Sequence, residues 1–246
     1  FVLDELSYDR HNEHFRNIYR ISIRGKIQGN EVEAALSNAP MVATLKSDFA
    51  EVEEFTRLFT FDGDPIVRYE DQVFIEENFY YADSTFFEVF SIKLQEGDPA
   101  TCLDEPNTIL LTESKAEQYF PDGDPIGKSI AMNNDSTLYW VTGVVEEAPR
   151  TSHFDYDFIC SYSTYERSNS TFWFSNWMFT YFLVTPGTDR ALLDEKINNT
   201  MLEHIRPQLQ QFMGITPEEF EASGNRYGLF TQPLLDIHLD KEIALP

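Results

Sequence analysis

The chain has 246 residues, 42% of them hydrophobic and 15% aromatic, with 21 Phe and 12 Tyr. That is enough apolar volume for one large or two small domains, and far too much for a disordered linker. Eighteen Lys and Arg stand against 42 Asp and Glu, a formal charge of −24, and a field of that sign repels phosphate backbones and anionic lipid surfaces, which argues against nucleic-acid binding.

The chain opens on Phe1-Val2-Leu3-Asp4-Glu5, with no initiating Met, basic leader or small-residue cleavage site, and reads as a piece of a longer polypeptide. Leu3, Leu6, Phe15, Ile18 and Tyr19 recur at helical intervals with charged residues between them, predicting an amphipathic opening helix. From Ile18 the period changes to two: Ile21, Ile23 and Ile27 alternate with Arg20, Ser22, Arg24 and Lys26, and Gly29-Asn30 turns the strand into a hairpin whose return runs from Val32 to Leu36. Pro40 suits the first turn of a short helix carrying Met41, Val42 and Leu45, and residues 52–61 resume alternation as a strand.

The middle is a series of short units divided by turn chemistry. Strands are predicted over 73–79, 108–111, 139–145 and 154–160; short helices follow Ser84, burying Phe86, Val89 and Phe90, and Thr112, turning Ala116, Tyr119 and Phe120 inward. Residues 178–185 form an aromatic, β-branched strand. A helix follows over 189–206, with Leu193, Ile197, Met201 and Ile205 four apart, and Pro207 is expected to end it. Residues 208–224 read as a polar loop and 227–232 as a last strand, with 234–239 running on from it. The uncharged run 168–188 is long enough to span a bilayer, but its Ser, Asn and Thr content and Pro186-Gly187 exclude a membrane helix. The outer portions thus each read strand, helix, strand around a mixed insertion, an α+β fold in which a split β-α-β subdomain is formed by both chain ends.

Several motifs go further. Leu3-Asp4-Glu5-Leu6-Ser7-Tyr8-Asp9-Arg10-His11-Asn12 with Ile18-Tyr19-Arg20-Ile21 resembles the segment leaving the first transmembrane helix of MacB-like and FtsX-like ABC transporter permeases of the Bacteroidetes type. Tyr81-Ala82-Asp83-Ser84-Thr85-Phe86-Phe87-Glu88-Val89-Phe90-Ser91 is similar to that family's most distinctive stretch, and Asp124-Pro125-Ile126-Gly127-Lys128, Val141-Thr142-Gly143-Val144-Val145 and Pro233-Leu234-Leu235-Asp236-Ile237-His238-Leu239 follow in the family's order. Residues 150–174 and 208–224 carry no such likeness.

The resemblance implies a periplasmic domain of an inner-membrane protein, set between its first and second transmembrane helices. A porter-like part would be built from residues 1–60, including a stalk helix, and 176–246, which leads to the next membrane helix; residues 61–175 would form the inserted subdomain. It implies a non-catalytic module without cofactors that relays ATP-driven motion for export or release of peptide, drug or lipoprotein cargo. Its partners would be its own transmembrane helices, an ATP-binding subunit, a second copy and a periplasmic adaptor or outer-membrane protein.

Leu3, Leu6 and Phe15 on the opening segment, and Ile237 and Leu239 near the exit, are the candidate coupling contacts. Phe172, Trp173, Phe174 and Trp177 are the candidate partner or cargo surface, with core packing as the favoured role because strands of such domains bury Trp and Phe. A deep apolar pocket around Trp173 and Trp177 would instead favour an extracytoplasmic ligand-binding or sensing domain. Chemistry has few handholds. His11 and His14 flank Glu13 but do not complete a His-Glu-x-x-His zinc motif, and no Gly-x-Ser-x-Gly turn is present. Gly-Asp-Pro occurs at 63–65, 97–99 and 123–125, too short for a calcium loop and suited to turns. Cys102 and Cys160 can form at most one bridge, and their separation leaves open whether they do.

Overall fold

The structure, a computed structural model, describes residues 7–60, 63, 65–132, 137–165, 169–240 and 243. It divides into two compact units. One joins residues 15–55 to residues from 169 onward; the other joins residues up to 14 to residues 56–168.

The first unit is built on β1 (Ile18–Ile27), β2 (Asn30–Ala34), α1 (Ala39–Asp48) and the start of β3 (Val52–Thr60). Gln28 and Gly29 lie at φ 51° and 85°, the left-handed pair that a two-residue hairpin turn requires between Ile27 and Asn30. Asn38 caps α1 by accepting from the Met41 amide, and Pro40 sits in the first turn, where its missing N–H costs nothing. The later half of the chain returns with β12 (Phe179–Val184) and a long helix, α4 (Arg190–Met213); the short helix α5 (Pro217–Ala222), β13 (Arg226–Pro233) and α6 (Leu234–Ile237) complete it. The sheet order is β13-β1-β12-β3. Strand β1 runs antiparallel to both neighbours, pairing Tyr19–Lys26 with Pro233–Arg226 and Ile18–Arg20 with Leu183–Tyr181. Two strand-helix-strand passages, β1-α1-β3 and β12-α4-β13, therefore interleave in one sheet. Gly25 allows the close approach of β1 to β13, since a Cβ there would stand 2.5 Å from the Arg226 carbonyl oxygen.

The core of this unit follows from alternation. Ile21, Ile23, Phe182, Val184 and Leu229 point from the sheet to one side, where Met41 and Leu45 of α1 and Leu193, Ile197, Met201 and Ile205 of α4 meet them. Each such side chain contributes roughly 1.5–3 kcal/mol by leaving water.

The second unit carries the other end of β3, then β4 (Ile66–Tyr69), β5 (Gln72–Ile75), β6 (Phe79–Ala82), α2 (Phe86–Val89), β7 (Leu94–Gly97), β8 (Thr108–Thr112), α3 (Glu113–Tyr119), β9 (Ser129–Met132), β10 (Thr137–Val145) and β11 (Phe158–Ser161). Its strands are ordered β3-β6-β11-β8-β10-β9-β4-β5, with β7 added beside β10. The β6-β11 and β8-β10 pairs are parallel, the others antiparallel. Strands β6, β8 and β11 are buried along their whole length, which is why their sequences are unbroken apolar and aromatic runs.

Several expectations are corrected. Residues 7–17 form successive turns rather than the expected opening helix. Asp9 sits at φ 59° and the Asn12 side chain donates to the Asp9 carbonyl, a local bond that competes with the helical ladder. This opening segment, up to residue 14, packs with the inserted unit and not with the first strand. The stretch 73–79 is two strands, broken at Asn78, which has φ 52°. Strands β4, β7 and β9 were too short to register as periodicity. Helix α4 passes through Pro207 and ends only at Gly214, which takes the left-handed C-cap at φ 68°. Burial explains it: Leu209 extends the four-residue stripe beyond the proline and is buried, so packing outweighs one lost helical hydrogen bond. The supposed polar loop also contains α5, opened by a capping box between Thr216 and Glu219 with Pro217 in the first turn.

Replacing Pro207 with Ala restores a donor to α4 without touching the buried stripe. An increase of about 1–3 kcal/mol in unfolding free energy is expected, read by urea titration; a decrease would mean that the proline's kink is itself required for packing.

Candidate functional site

Two clusters of polar side chains stand out, one at each end of the described chain. The first fastens the opening segment to the inserted unit. The Asp9 amide donates to the Thr151 carbonyl at 2.7 Å, and Asp9 Oδ1 accepts from the His153 amide at 3.2 Å and lies 2.7 Å from His153 Nδ1. Both side chains are buried, and the imidazole lies edge-on to the Phe154 ring, 4.9 Å between centroids. Three residues on, Asn12 Oδ1 accepts from the Ser91 amide at 3.0 Å, while the Glu13 amide donates to Ser91 Oγ at 2.8 Å. The left-handed turn at Asp9 lets one short segment reach both the 90–91 and the 151–153 loops. Asp9 Oδ2 meets no donor among the described residues, so the carboxylate depends on His153 for its compensation.

The second cluster lies in the other unit. Arg20 projects from β1 fully buried, donating from Nη2 to Gln232 Oε1 on β13 at 2.7 Å. Gln232 Nε2 donates in turn to Asp240 Oδ2 at 3.0 Å, which ties the segment after α6 back to the strand that follows the opening segment. Arg20 Nε and Nη1 meet no acceptor among the described residues, so Gln232 supplies the guanidinium's one direct bond and its indirect link to a carboxylate. Ile237 is buried on α6, Leu239 is 52% exposed, and Phe15 is half-buried. Leu3 and Leu6 lie outside the described residues.

The aromatic cluster is largely internal. Trp173 is 6% exposed and belongs to the core, stacked on His204 at 4.7 Å and 3° between planes, and its amide donates to Gln208 Oε1 at 2.9 Å. Of the two roles weighed for this residue, core packing is the one it takes, and the surface role does not apply to it: helix α4 continues past Pro207 and so brings Gln208 to it. Phe172, Phe174 and Trp177 are half-buried, Phe172 meeting Phe212 edge-on at 4.7 Å. A cavity of about 330 Å³ in the same unit is lined by Leu202, Leu209, Phe220 and Tyr227 and does not include Trp173 or Trp177.

The remaining candidates offer no assembled chemistry. Among the described residues no group of three or more His, Cys, Asp and Glu converges as a metal site would require. Cys102 and Cys160 are both buried free thiols; burial pushes the Cys102 thiol up to about 12 and Cys160 well above its ordinary value. His11 lies beside Asn12, and burial holds it below the usual histidine range although the Asp9 carboxylate pulls the other way. His153, which has no sequence neighbour to mark it, is the residue that reading along the chain missed.

No helix among the described residues is long and apolar enough to cross a membrane. The fold is that of known permease domains. A domain assigned to a permease protein of Porphyromonas gingivalis superposes with a TM-score of 0.71 at 20% identity, covering 91% of this chain and 92% of that one. The periplasmic region of MacB from Actinobacillus actinomycetemcomitans gives 0.57 at 16% identity, covering 91% of each chain. The extracellular domain of the noncanonic ABC-type transporter YknZ from Gram-positive bacteria also gives 0.57, at 12% identity, covering 88% of this chain and 100% of that one. No curated protein sequence matches the chain closely enough to count as a relative. The class is therefore the extracytoplasmic α+β domain of membrane permeases. Residues 1–200 match the MacB-like periplasmic core domain, and the chain belongs to that family: it is a periplasmic domain of an ABC transporter permease. Domains of this kind work within transporters that also contain transmembrane and ATP-hydrolysing parts.

Three outcomes are expected. Asp9→Ala removes the carboxylate bonded to a buried imidazole and should cost about 2–4 kcal/mol of unfolding free energy, measured by denaturant titration. Because His11 takes up its proton less readily folded than unfolded, it contributes stability that is present above the histidine range and lost as pH falls; His11→Gln should flatten the decline in midpoint between pH 7.5 and 5. Native protein should react with no thiol reagent at pH 8, and denatured protein with two equivalents.

Proposed function

We propose that this domain is a non-catalytic relay: it receives displacement from transmembrane helices at both chain ends and moves as a stiff body, changing how two copies meet in the periplasm. One observation carries the reading. Strand β1, which directly follows the opening segment, is hydrogen-bonded over eight residues to β13, and the segment after β13 is tied back through Gln232 and Asp240. Force entering at either end would load one sheet, and close-packed sheets move as units. The Asp9 and Asn12 contacts support a second path, from the opening segment into the inserted unit. Buried, unactivated thiols and a histidine bound to a carboxylate fit a body that makes and breaks no bonds. Peptides, drugs and lipoproteins are the classes of cargo such a relay would serve.

The test uses the full-length permease with its ATPase in membranes. Spin labels at Glu31 and Glu195 measure a distance within one unit, and a single label at Glu195 measures the distance between two copies. Across nucleotide states the first should hold within about 2 Å while the second shifts. A changing internal distance, or no inter-copy distance at all, would overturn the relay.

A further inference from the structure

Among the described residues, the inserted unit has a sheet edge and a sheet face that stay open at β5. Strand β5 is the last in its sheet, paired only with β4 among the described residues. Their hairpin is closed by Glu70 and Asp71, with Glu70 at φ 52°, and pairs Tyr69 with Gln72, Arg68 with Val73, Val67 with Phe74 and Ile66 with Ile75. A two-residue turn makes Tyr69 and Gln72 a hydrogen-bonded pair, and bonded and non-bonded pairs then alternate. The Glu76 amide donating to the Pro65 carbonyl at 3.0 Å keeps the same alternation. Val73 and Ile75 therefore turn their N–H and C=O groups away from β4, toward the free edge.

The same two residues present apolar side chains, 58% and 72% exposed. They continue into a row across four strands, because Arg68 pairs with Ala131 and Ala131 with Leu138. Leu138 is 48% exposed, and Trp140, two residues along β10 on the same face, is 50% exposed. The opposite face is closed: Val67, Ile130, Met132 and Tyr139 are buried, and Phe74 meets Tyr119 of α3 edge-on at 5.2 Å. A solvated sheet face ordinarily reads polar, and a free edge is ordinarily guarded by Lys or Pro. Here the face carries Val, Ile, Leu and Trp around the half-buried Arg68, and the exposed charges flanking β5 are Glu70, Asp71 and Glu77.

We propose that the β5 edge and this face form a docking surface for another protein, which adds an extended strand to β5, lays alternate apolar side chains beside Val73 and Ile75, and carries Lys or Arg at its flanks. Strand addition supplies backbone bonds, and the apolar row supplies selectivity for alternate positions. Charge sets the occupant. A second copy would bring Glu70, Asp71 and Glu77 against themselves in a chain of net charge −24, whereas a basic segment is attracted. The surface is independent of the relay and would stand without it.

The test uses the 246-residue chain labelled with ¹⁵N and two synthetic peptides of alternating Val and Thr, one flanked by Lys and one by Glu. The Lys-flanked peptide should slow amide exchange at Val73 and Ile75 at least tenfold and bind at least tenfold more tightly than the Glu-flanked one, the gap narrowing with added salt. Ile75→Pro removes an outward N–H and no bond to β4. It should abolish protection at Val73 while the spectrum of the core stays unchanged, and Val73→Asp should weaken binding with the fold intact. Absence of protection at millimolar peptide, equal affinity for the two peptides, or a dimer in sedimentation that Ile75→Pro dissolves would each overturn the proposal.

Discussion

The structure depends on what happens to β1. This strand is bonded on one side to β13 and on the other to β12 and β2, and the first two partners lie in the last third of the chain. Neither half of the split sheet can satisfy its backbone groups alone, because a buried strand with an unpaired edge leaves N–H and C=O groups without partners. The two ends must therefore come together before either is stable. The inserted unit contributes strands β4 to β11, and the chain passes between the units at 14–15, 55–56 and 168–169.

That constraint explains where the polar side chains lie. A strand buried on both faces should be apolar throughout, yet β1 carries Arg20 and Ser22 within its buried stretch. Arg20 faces Gln232 directly across the β1-β13 pairing, and a buried guanidinium needs an acceptor on the neighbouring strand in register. A slip by one residue would set Arg20 against Thr231 or Pro233 and expose the alternate apolar set. The buried cation thereby penalises misregistry between strands brought together from opposite ends of the chain. At the other cluster Asp9 and His153 do the corresponding work for an irregular segment, which is held by directed bonds to Ser91, Thr151 and His153 and by a left-handed turn.

Under the proposed relay, displacement entering at the opening segment must not be dissipated in loops. The opening segment makes directed polar bonds to Ser91, Thr151 and His153. Directional bonds of that kind hold one geometry, while apolar contacts tolerate sliding. In contrast, the row from Val73 to Trp140 leaves four large apolar side chains exposed beside Arg68, the property of a surface that takes a partner.

Much of this could be read along the chain. Alternation marked β1, β3, β12 and β13, Pro40 marked α1, and the stripe from Leu193 to Ile205 marked the inward face of α4, because each of these patterns is set by burial on one side of a regular element. The ordered motifs from Leu3 to Leu239 pointed to the permease family. What remained hidden was long-range. Pro207 is a stop signal on local grounds, and only the burial of Leu209 and the hold of Gln208 on Trp173 carry the helix through it. Trp173 among Ser and Asn leaves both a surface and a core role open in sequence, and its stacking on His204 depends on a residue far along the chain. His153 has no periodicity and no neighbouring ligand, so nothing local announces its bond to Asp9. Local periodicity and turn chemistry belong to stretches of a few residues and are written in the order of amino acids. The pairing of Asp9 with His153, of Arg20 with Gln232, and the open row at β5 arise from which distant stretches are brought side by side, and only the folded chain decides that.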